Sequence, residues 1–187
     1  MRVHISAGAL LLFAALILML PLQWVGAVLL AMLVHELCHA VMILLVGGNI
    51  HSLYIGSRGM VLEADSLSGV KESICALAGP VGSLLLLLFV RHLPRTAVCG
   101  AIHGIFNLLP LFPLDGGRVL LGLLQTLLSP LAAKSIFVWI QRIALGGLLL
   151  LTAILVIKIG ILPLLAVILL LVRAWRENPL AKKPFWR

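Results

Sequence analysis

A chain of 187 residues that is 63% hydrophobic and only 11% charged, with a mean hydropathy of +1.23, has too few polar side chains to cover a soluble core, which excludes an ordinary soluble domain. The net charge of +8 does not point to nucleic acid. Five of the fourteen basic residues, Arg173, Arg176, Lys182, Lys183 and Arg187, fall in the last fifteen positions, directly after an apolar run, where a cytoplasmic juxtamembrane tail collects Lys and Arg and leans on anionic lipid.

Apolar runs divide the chain into about six spans, at roughly 5–22, 24–46, 71–90, 97–109, 136–157 and 159–174. The first has the look of a signal peptide but lacks a small-residue cleavage site, and Pro21-Leu22-Gln23 leads straight into the second, so it reads as retained. Between the second and third spans, 47–69 changes character. Ile50, Leu53, Tyr54 and Ile55, then Gly56-Ser57-Arg58-Gly59, then Met60, Val61 and Leu62 describe two short β-rich runs about a Gly-bounded turn. They read as a hairpin near residues 49–64 or as an ordinary loop. The fourth span is short and resumes, past a break, in the apolar stretch Val119 to Leu128.

The expected fold is an all-α integral membrane protein of about six transmembrane helices with a small membrane-associated β-hairpin. Residues 1–174 form the membrane domain and 175–187 a basic cytoplasmic tail. With both termini in the cytoplasm, the inner segments collect Arg2, Arg58, Lys71, Arg118, Lys134 and the five C-terminal basic residues. The outer turns keep Arg91, Arg95 and Lys158, and Arg142 falls inside the fifth span. The bias favours that orientation.

The chemistry is concentrated in the second span, at His35-Glu36-Leu37-Cys38-His39. Ionisable groups at bilayer depth are costly and mark functional sites. Positions i and i+4 differ by about 40° around a helix, so both imidazoles project from one face. Two such nitrogens can hold Zn²⁺ while the adjacent Glu36 reaches an attacking water as general base. Cys38, three residues after His35, reads either as a small buried hydrophobe, like Cys75 and Cys99, or as a thiolate ligand. Three scattered cysteines define no disulfide framework.

A catalytic zinc takes three protein ligands and keeps a fourth position open. Of the six acids, Glu36, Glu63, Asp65, Glu72, Asp115 and Glu177, only Glu36 and Asp115 fall within or against long apolar runs. Asp115 ends the stretch Asn107-Leu108-Leu109-Pro110-Leu111-Phe112-Pro113-Leu114-Asp115-Gly116-Gly117-Arg118, which cannot continue a regular helix. Such backbone is tolerated at membrane depth only where it is buried in protein or lines a wet cavity. His35, His39 and Asp115 thus supply three ligands; capping a helix that starts near Gly117 is the alternative for Asp115. His51, in the hairpin segment, reads as a surface residue.

His35-Glu36-x-x-His39, followed some seventy residues later by Asn107-x-x-Pro110 and Leu114-Asp115-Gly116, resembles the site-2 protease family of intramembrane zinc metalloproteases. More narrowly it resembles the sporulation branch, which processes a membrane-associated pro-sigma factor. Ala78-Gly79-Pro80 and the basic tail add to the likeness. The resemblance implies zinc held by His35, His39 and Asp115, with Glu36 as general base and acid. Asn107 would stand near the substrate carbonyl as a catalytic residue, and Gly79 and Ser83 would match a close-packing motif. It implies a bacterial cell membrane, a membrane-embedded or membrane-associated protein substrate and an inhibitory membrane partner. Two departures stand out: Cys38 replaces a common glycine, and the chain stops where that branch carries a cytosolic CBS domain.

Two rival functions remain. A metal-ion transporter distributes polar groups along a path through several helices, whereas here they gather at one locus, with His103 the other candidate. A noncatalytic docking member has no use for the carboxylate of Glu36.

Overall fold

The computed structural model describes residues 2–56, 59–65, 67, 69–160 and 167–168. The chain divides into two compact units, Met1–Asn107 and Leu108–Arg187.

The first unit runs β1 (Arg2–Ile5), α1 (Ala7–Met19), α2 (Leu22–Leu45), β2 (Ile50–Gly56), β3 (Gly59–Ala64), α3 (Gly69–Leu85) with a 3₁₀ turn over Leu86–Phe89, and α4 (Pro94–Asn107). Helix α2 explains itself from sequence. Pro21 stands at its N-cap, no Gly or Pro but Gly26 interrupts it, and its faces separate. Ala31, His35, His39 and Ile43 are buried, whereas Leu29, Leu33, Leu37, Val41 and Leu45 are exposed. Both rows step by four residues, so one stripe packs on protein and the other is a leucine-rich face suited to lipid. At 24 residues and about 1.5 Å per residue, α2 is long enough to cross a bilayer. Its C-terminal end is closed by Lys71, whose Nζ donates to the Val46 carbonyl at 2.9 Å. At the other end the Arg95 guanidinium lies 6.0 Å from the centre of the Trp24 ring, a pairing suited to a membrane interface.

Helices α2, α3 and α4 pack on one another through small residues. A Cβ at Gly100 would lie 2.7 Å from the Ser83 carbonyl oxygen, and one at Gly104 would lie 3.0 Å from the Pro80 carbonyl oxygen. Such contacts let helix backbones approach closely where no hydrophobic effect drives association.

The expected hairpin is present. β2 and β3 pair antiparallel with Leu53 opposite Leu62 and Tyr54 opposite Val61, and an irregularity between Ile50 and Ser52 displaces His51 from the ladder. Asp65 closes its base, accepting from the Asn49 backbone N–H at 3.1 Å and the Asn49 side chain at 2.8 Å. His51 Nε2 donates to the other oxygen of Asp65 at 2.7 Å, which makes His51 a structural partner of the hairpin. Ser52 donates to Glu63 across the strands. These bonds, the Asn49 amide first and His51 next, hold the Asp65 carboxyl below its ordinary range. A third strand joins the sheet: β1 pairs parallel with β2, Val3 opposite Leu53, in the order β1-β2-β3.

The second unit contains α5 (Asp115–Leu127) and α6 (Pro130–Ile159). Ser129 caps α6, its Oγ accepting from Ala132 N at 3.4 Å, and Pro130 sits at the first helical position, where its missing N–H costs nothing. Gly160, at φ 91°, ends the helix. Leu111 and Leu114 are buried against Leu109, Ala144, Leu145 and Leu148, so the non-helical stretch before α5 is anchored on α6.

Six α-helices are thus present among the described residues, as the fold class required. Three segments are long and apolar enough to cross a membrane: Leu22–Leu45, Gly69–Phe89 and Pro130–Lys158. α1, α4 and α5, at 13, 14 and 13 residues, reach only about 20 Å each. Of the sixth expected span, 159–174, all but residues 159–160 and 167–168 lies outside the described residues, as does the tail.

Candidate metal centre

His35 and His39 occupy successive turns of α2 (Leu22–Leu45), and from His39 about six residues, roughly 9 Å, remain to the helix end. Both are buried, at 2% and 8% relative exposure. Their Nε2 atoms lie 3.1 Å apart and their rings are close to perpendicular, 81°, with centroids 4.7 Å apart. Each remaining ring nitrogen is engaged by α3. His39 Nδ1 donates to the Cys75 carbonyl at 2.7 Å, and His35 Nδ1 meets Ser83 Oγ at 2.9 Å.

These contacts constrain the protons. A carbonyl oxygen only accepts, so His39 carries its proton on Nδ1, and in the neutral ring Nε2 is a lone pair. That lone pair faces His35 Nε2. His35 can meet it with its own Nε2–H, and so can a cation placed between the rings. Two nitrogens each about 2.05 Å from one zinc ion and 3.1 Å apart subtend about 98°, close to the tetrahedral angle. The imidazole pair therefore fits a zinc ion, with the outer ring nitrogens oriented by hydrogen bonds in the manner of metal-ligating histidines.

The helix facing this pair is shaped for it. Cys75, Gly79 and Ser83 recur every four residues along α3. A Cβ at Gly79 would lie 2.5 Å from Cε1 and 2.7 Å from Cδ2 of the His39 ring, and closer still to Nε2. Only glycine leaves room for that imidazole. Sequence reasoning assigned Gly79 and Ser83 to close packing; the structure places both against the histidine rings. The Cys75 carbonyl could not be foreseen, since a backbone acceptor has no residue signature.

Glu36 follows His35 on α2 and is half-buried. Cys38 is half-buried and free, and a Cβ at Gly82 would strike its sulfur, so this side chain fills the α2–α3 seam. Asn107 is the last residue of α4. Its Nδ2 donates to the His103 carbonyl at 3.0 Å and lies 3.3 Å from His103 Nε2. The His103 ring in turn stands edge-to-face on His35, at 4.5 Å between centroids. Asn107 is therefore linked to His35 through His103, and the spacing of four between His103 and Asn107 was the signal for that link.

Asp115 belongs to the second unit. α5 begins at Asp115 itself, with Leu114 in the cap position, so this residue is the first of the helix, where a carboxylate complements the dipole. It is buried at 8%, and Arg118 Nη1 stands 4.0 Å from its Oδ1, the outer limit of an ion pair. Both following glycines are required. A Cβ at Gly116 would enter the carbonyls of Leu108 and Leu109, and one at Gly117 would lie 2.6 Å from the carbonyl carbon of Leu111.

Long apolar helices, a buried His-Glu-x-x-His face and a separate buried carboxylate define the class: an intramembrane metalloprotease. The comparisons agree. The model of peptidase family M50 matches residues 58–152, half of the chain, and the protein belongs to that family. The matched stretch includes Asp115 and begins after His39. Among solved structures the chain is similar to the site-2 protease from Methanocaldococcus jannaschii, at 20% identity and a TM-score of 0.68, over 99% of this chain and 94% of that one. That likeness bears out the fold. No curated protein matches.

Proposed function

We propose that the protein is a zinc-dependent endopeptidase that cleaves membrane-embedded or membrane-associated proteins. The observation that carries the reading is the buried pair of imidazoles, whose Nε2 atoms converge to 3.1 Å while their Nδ1 atoms are held by α3. His35, His39 and Asp115 would hold the ion. Zinc, when bound, supplies Lewis acidity that lowers the pKa of water and polarises the scissile carbonyl. Glu36, adjacent to His35 on the same helix, takes the proton of the attacking water and returns it to the leaving amine. The Asn107 amide stands for the donor that steadies the developing oxyanion. Its nitrogen is engaged by His103 at rest, so this role requires the side chain to turn from that contact.

A substrate must present extended backbone, because a helix conceals its carbonyls in its own hydrogen bonds. With strand order β1-β2-β3, the open edges of the described sheet are the outer sides of β1 and β3, and such an edge pairs with an extended peptide. On the resemblance, the substrate is a membrane-tethered regulator such as a pro-sigma factor, the setting a bacterial cell membrane with both termini cytoplasmic, and a membrane partner restrains the enzyme. The test is zinc content and cleavage of a tagged single-span substrate bearing a helix-breaking segment, for wild type and Glu36→Gln. Equal zinc with cleavage by wild type alone is the expected result; absence of zinc from both overturns it.

A further inference from the structure

We infer that Ser83 is a positioning residue whose hydroxyl reverses its role on metal binding, accepting from His35 Nδ1–H and thereby turning the Nε2 lone pair of His35 to the zinc. The inference rests on the zinc reading above. A serine in a helix interior usually bonds its own backbone one turn back. Ser83 instead reaches across to α2, with Oγ 2.9 Å from His35 Nδ1, in a position with no exposure to solvent.

The proton accounting around the pair explains why a hydroxyl stands there. His39 Nδ1 is bonded to the Cys75 carbonyl, so its proton is fixed there and its Nε2 is an acceptor. Without metal, the 3.1 Å Nε2–Nε2 contact is satisfied when His35 donates from Nε2. Its Nδ1 is then a lone pair and Ser83 must donate to it. With metal, both Nε2 atoms are lone pairs directed at the cation, the His35 proton moves to Nδ1, and Ser83 must accept. A carbonyl at this place would serve only the second state; a hydroxyl serves both, because its hydrogen rotates. The two histidines are thus held differently. The Cys75 carbonyl fixes the tautomer of His39 in either state, and Ser83 lets that of His35 follow the metal.

The surroundings keep the hydroxyl where it is. A Cβ at Gly104 would lie 3.1 Å from Ser83 Cβ, and one at Gly100 would lie 2.7 Å from the Ser83 carbonyl. Helix α4 therefore presses closely on Ser83. A water molecule needs about 10–15 Å³ of its own, more than loss of one oxygen opens, so none replaces the hydroxyl in Ser83→Ala.

The experiment titrates detergent-purified wild type and Ser83→Ala with Zn²⁺ against a chromophoric chelator, and with Co²⁺ to record the d–d absorption of the bound ion. Thermal unfolding of each metal-free protein is measured in parallel. Zinc affinity about 10- to 100-fold weaker in Ser83→Ala, with an altered Co²⁺ spectrum, is expected. Wild-type affinity and spectrum in Ser83→Ala overturn the inference and leave the zinc reading standing; no binding by either protein overturns both. Should Ser83→Ala fail to fold, ¹⁵N-histidine NMR of wild type decides, with the His35 signals identified by their loss in His35→Gln. The His35 proton on Nδ1 in the zinc-loaded protein and on Nε2 in the metal-free protein supports the inference; the same tautomer in both overturns it.

Discussion

Replacing Gly79 by alanine is the sharpest steric probe of the centre. The new methyl would lie 2.5 Å from His39 Cε1 and 2.7 Å from Cδ2, against an ordinary carbon contact of about 3.5 Å. The imidazole must retreat by about 1 Å. It cannot do so freely, because Nδ1 is tied to the Cys75 carbonyl at 2.7 Å, and a retreat of that size stretches the bond beyond the useful range. The ring swings instead, carrying Nε2 away from its position 3.1 Å from His35 Nε2. Loss of the contacts that orient a metal ligand costs about 10- to 100-fold in metal affinity, and overpacking of this kind costs about 1–3 kcal/mol of stability. Zinc affinity should fall by about 10- to 100-fold, read by chelator competition on the purified variant. Gly26→Ala on α2 is the control, since nothing lies within 4 Å of its Cβ; it should bind zinc as wild type does. Wild-type affinity in Gly79→Ala would refute the reasoning that α3 sets the position of His39.

Three further outcomes follow from the same geometry. Asp115→Asn should weaken zinc binding by about 10²-fold and abolish cleavage; stoichiometric, tightly held zinc in the purified variant would remove Asp115 from the ligand set. Gly116→Ala meets backbone carbonyls rather than a flexible side chain, so it should cost about 3 kcal/mol or more, seen as a lower unfolding midpoint in mild detergent. The Asp65 carboxyl is held below its ordinary range, so its contribution to hairpin closure is complete above about pH 4 and is lost as pH falls through its depressed value. The protection of the Asn49 and Asp65 amides, taken relative to their intrinsic exchange rates at each pH, should fall on acidification, and in Asp65→Asn that dependence should flatten.

The sequence made some features plain and could not express others. The i, i+4 pair on α2, the hairpin and the break before α5 are local patterns, each fixed by periodicity or by Gly and Pro chemistry. β1 was absorbed into the first apolar run. Four residues, Arg2–Ile5, carry no periodicity, and their parallel pairing with β2 crosses two helices, a separation no local signal reports. The shortness of the fourth span was legible from Pro110 and Pro113, and α4 does end at Asn107, where the stretch to Asp115 leaves the helix for an irregular path. At the candidate site, His35 and His39 were legible by residue type. Their orientation was not, because one partner is the Cys75 backbone and the other is Ser83, a residue equally at home in helix packing.

The two imidazoles are held from α3, so metal binding should depend on how closely α2 and α3 approach. Cys38 and Gly82 test this without touching a proposed ligand. A Cβ at Gly82 would strike Cys38 Sγ and lie 2.9 Å from Cys38 Cβ, so Gly82→Ala alone must force the helices apart or twist the seam. Cys38→Gly removes both offending atoms and costs up to about 1 kcal/mol of helix propensity. Combined, the changes move one small side chain from α2 to α3 and nearly restore the volume of the seam. Gly82→Ala should bind zinc about tenfold or more weakly, and the double variant should recover to within a few-fold of wild type. The difference, taken as a double-mutant cycle, is a coupling of about 1 kcal/mol or more between adjacent sites. Purely additive losses, with the double variant weaker than Gly82→Ala, would mean that the spacing of α2 and α3 does not govern the position of the histidines. The Cys75 and Ser83 contacts would then be consequences of packing rather than supports of the site.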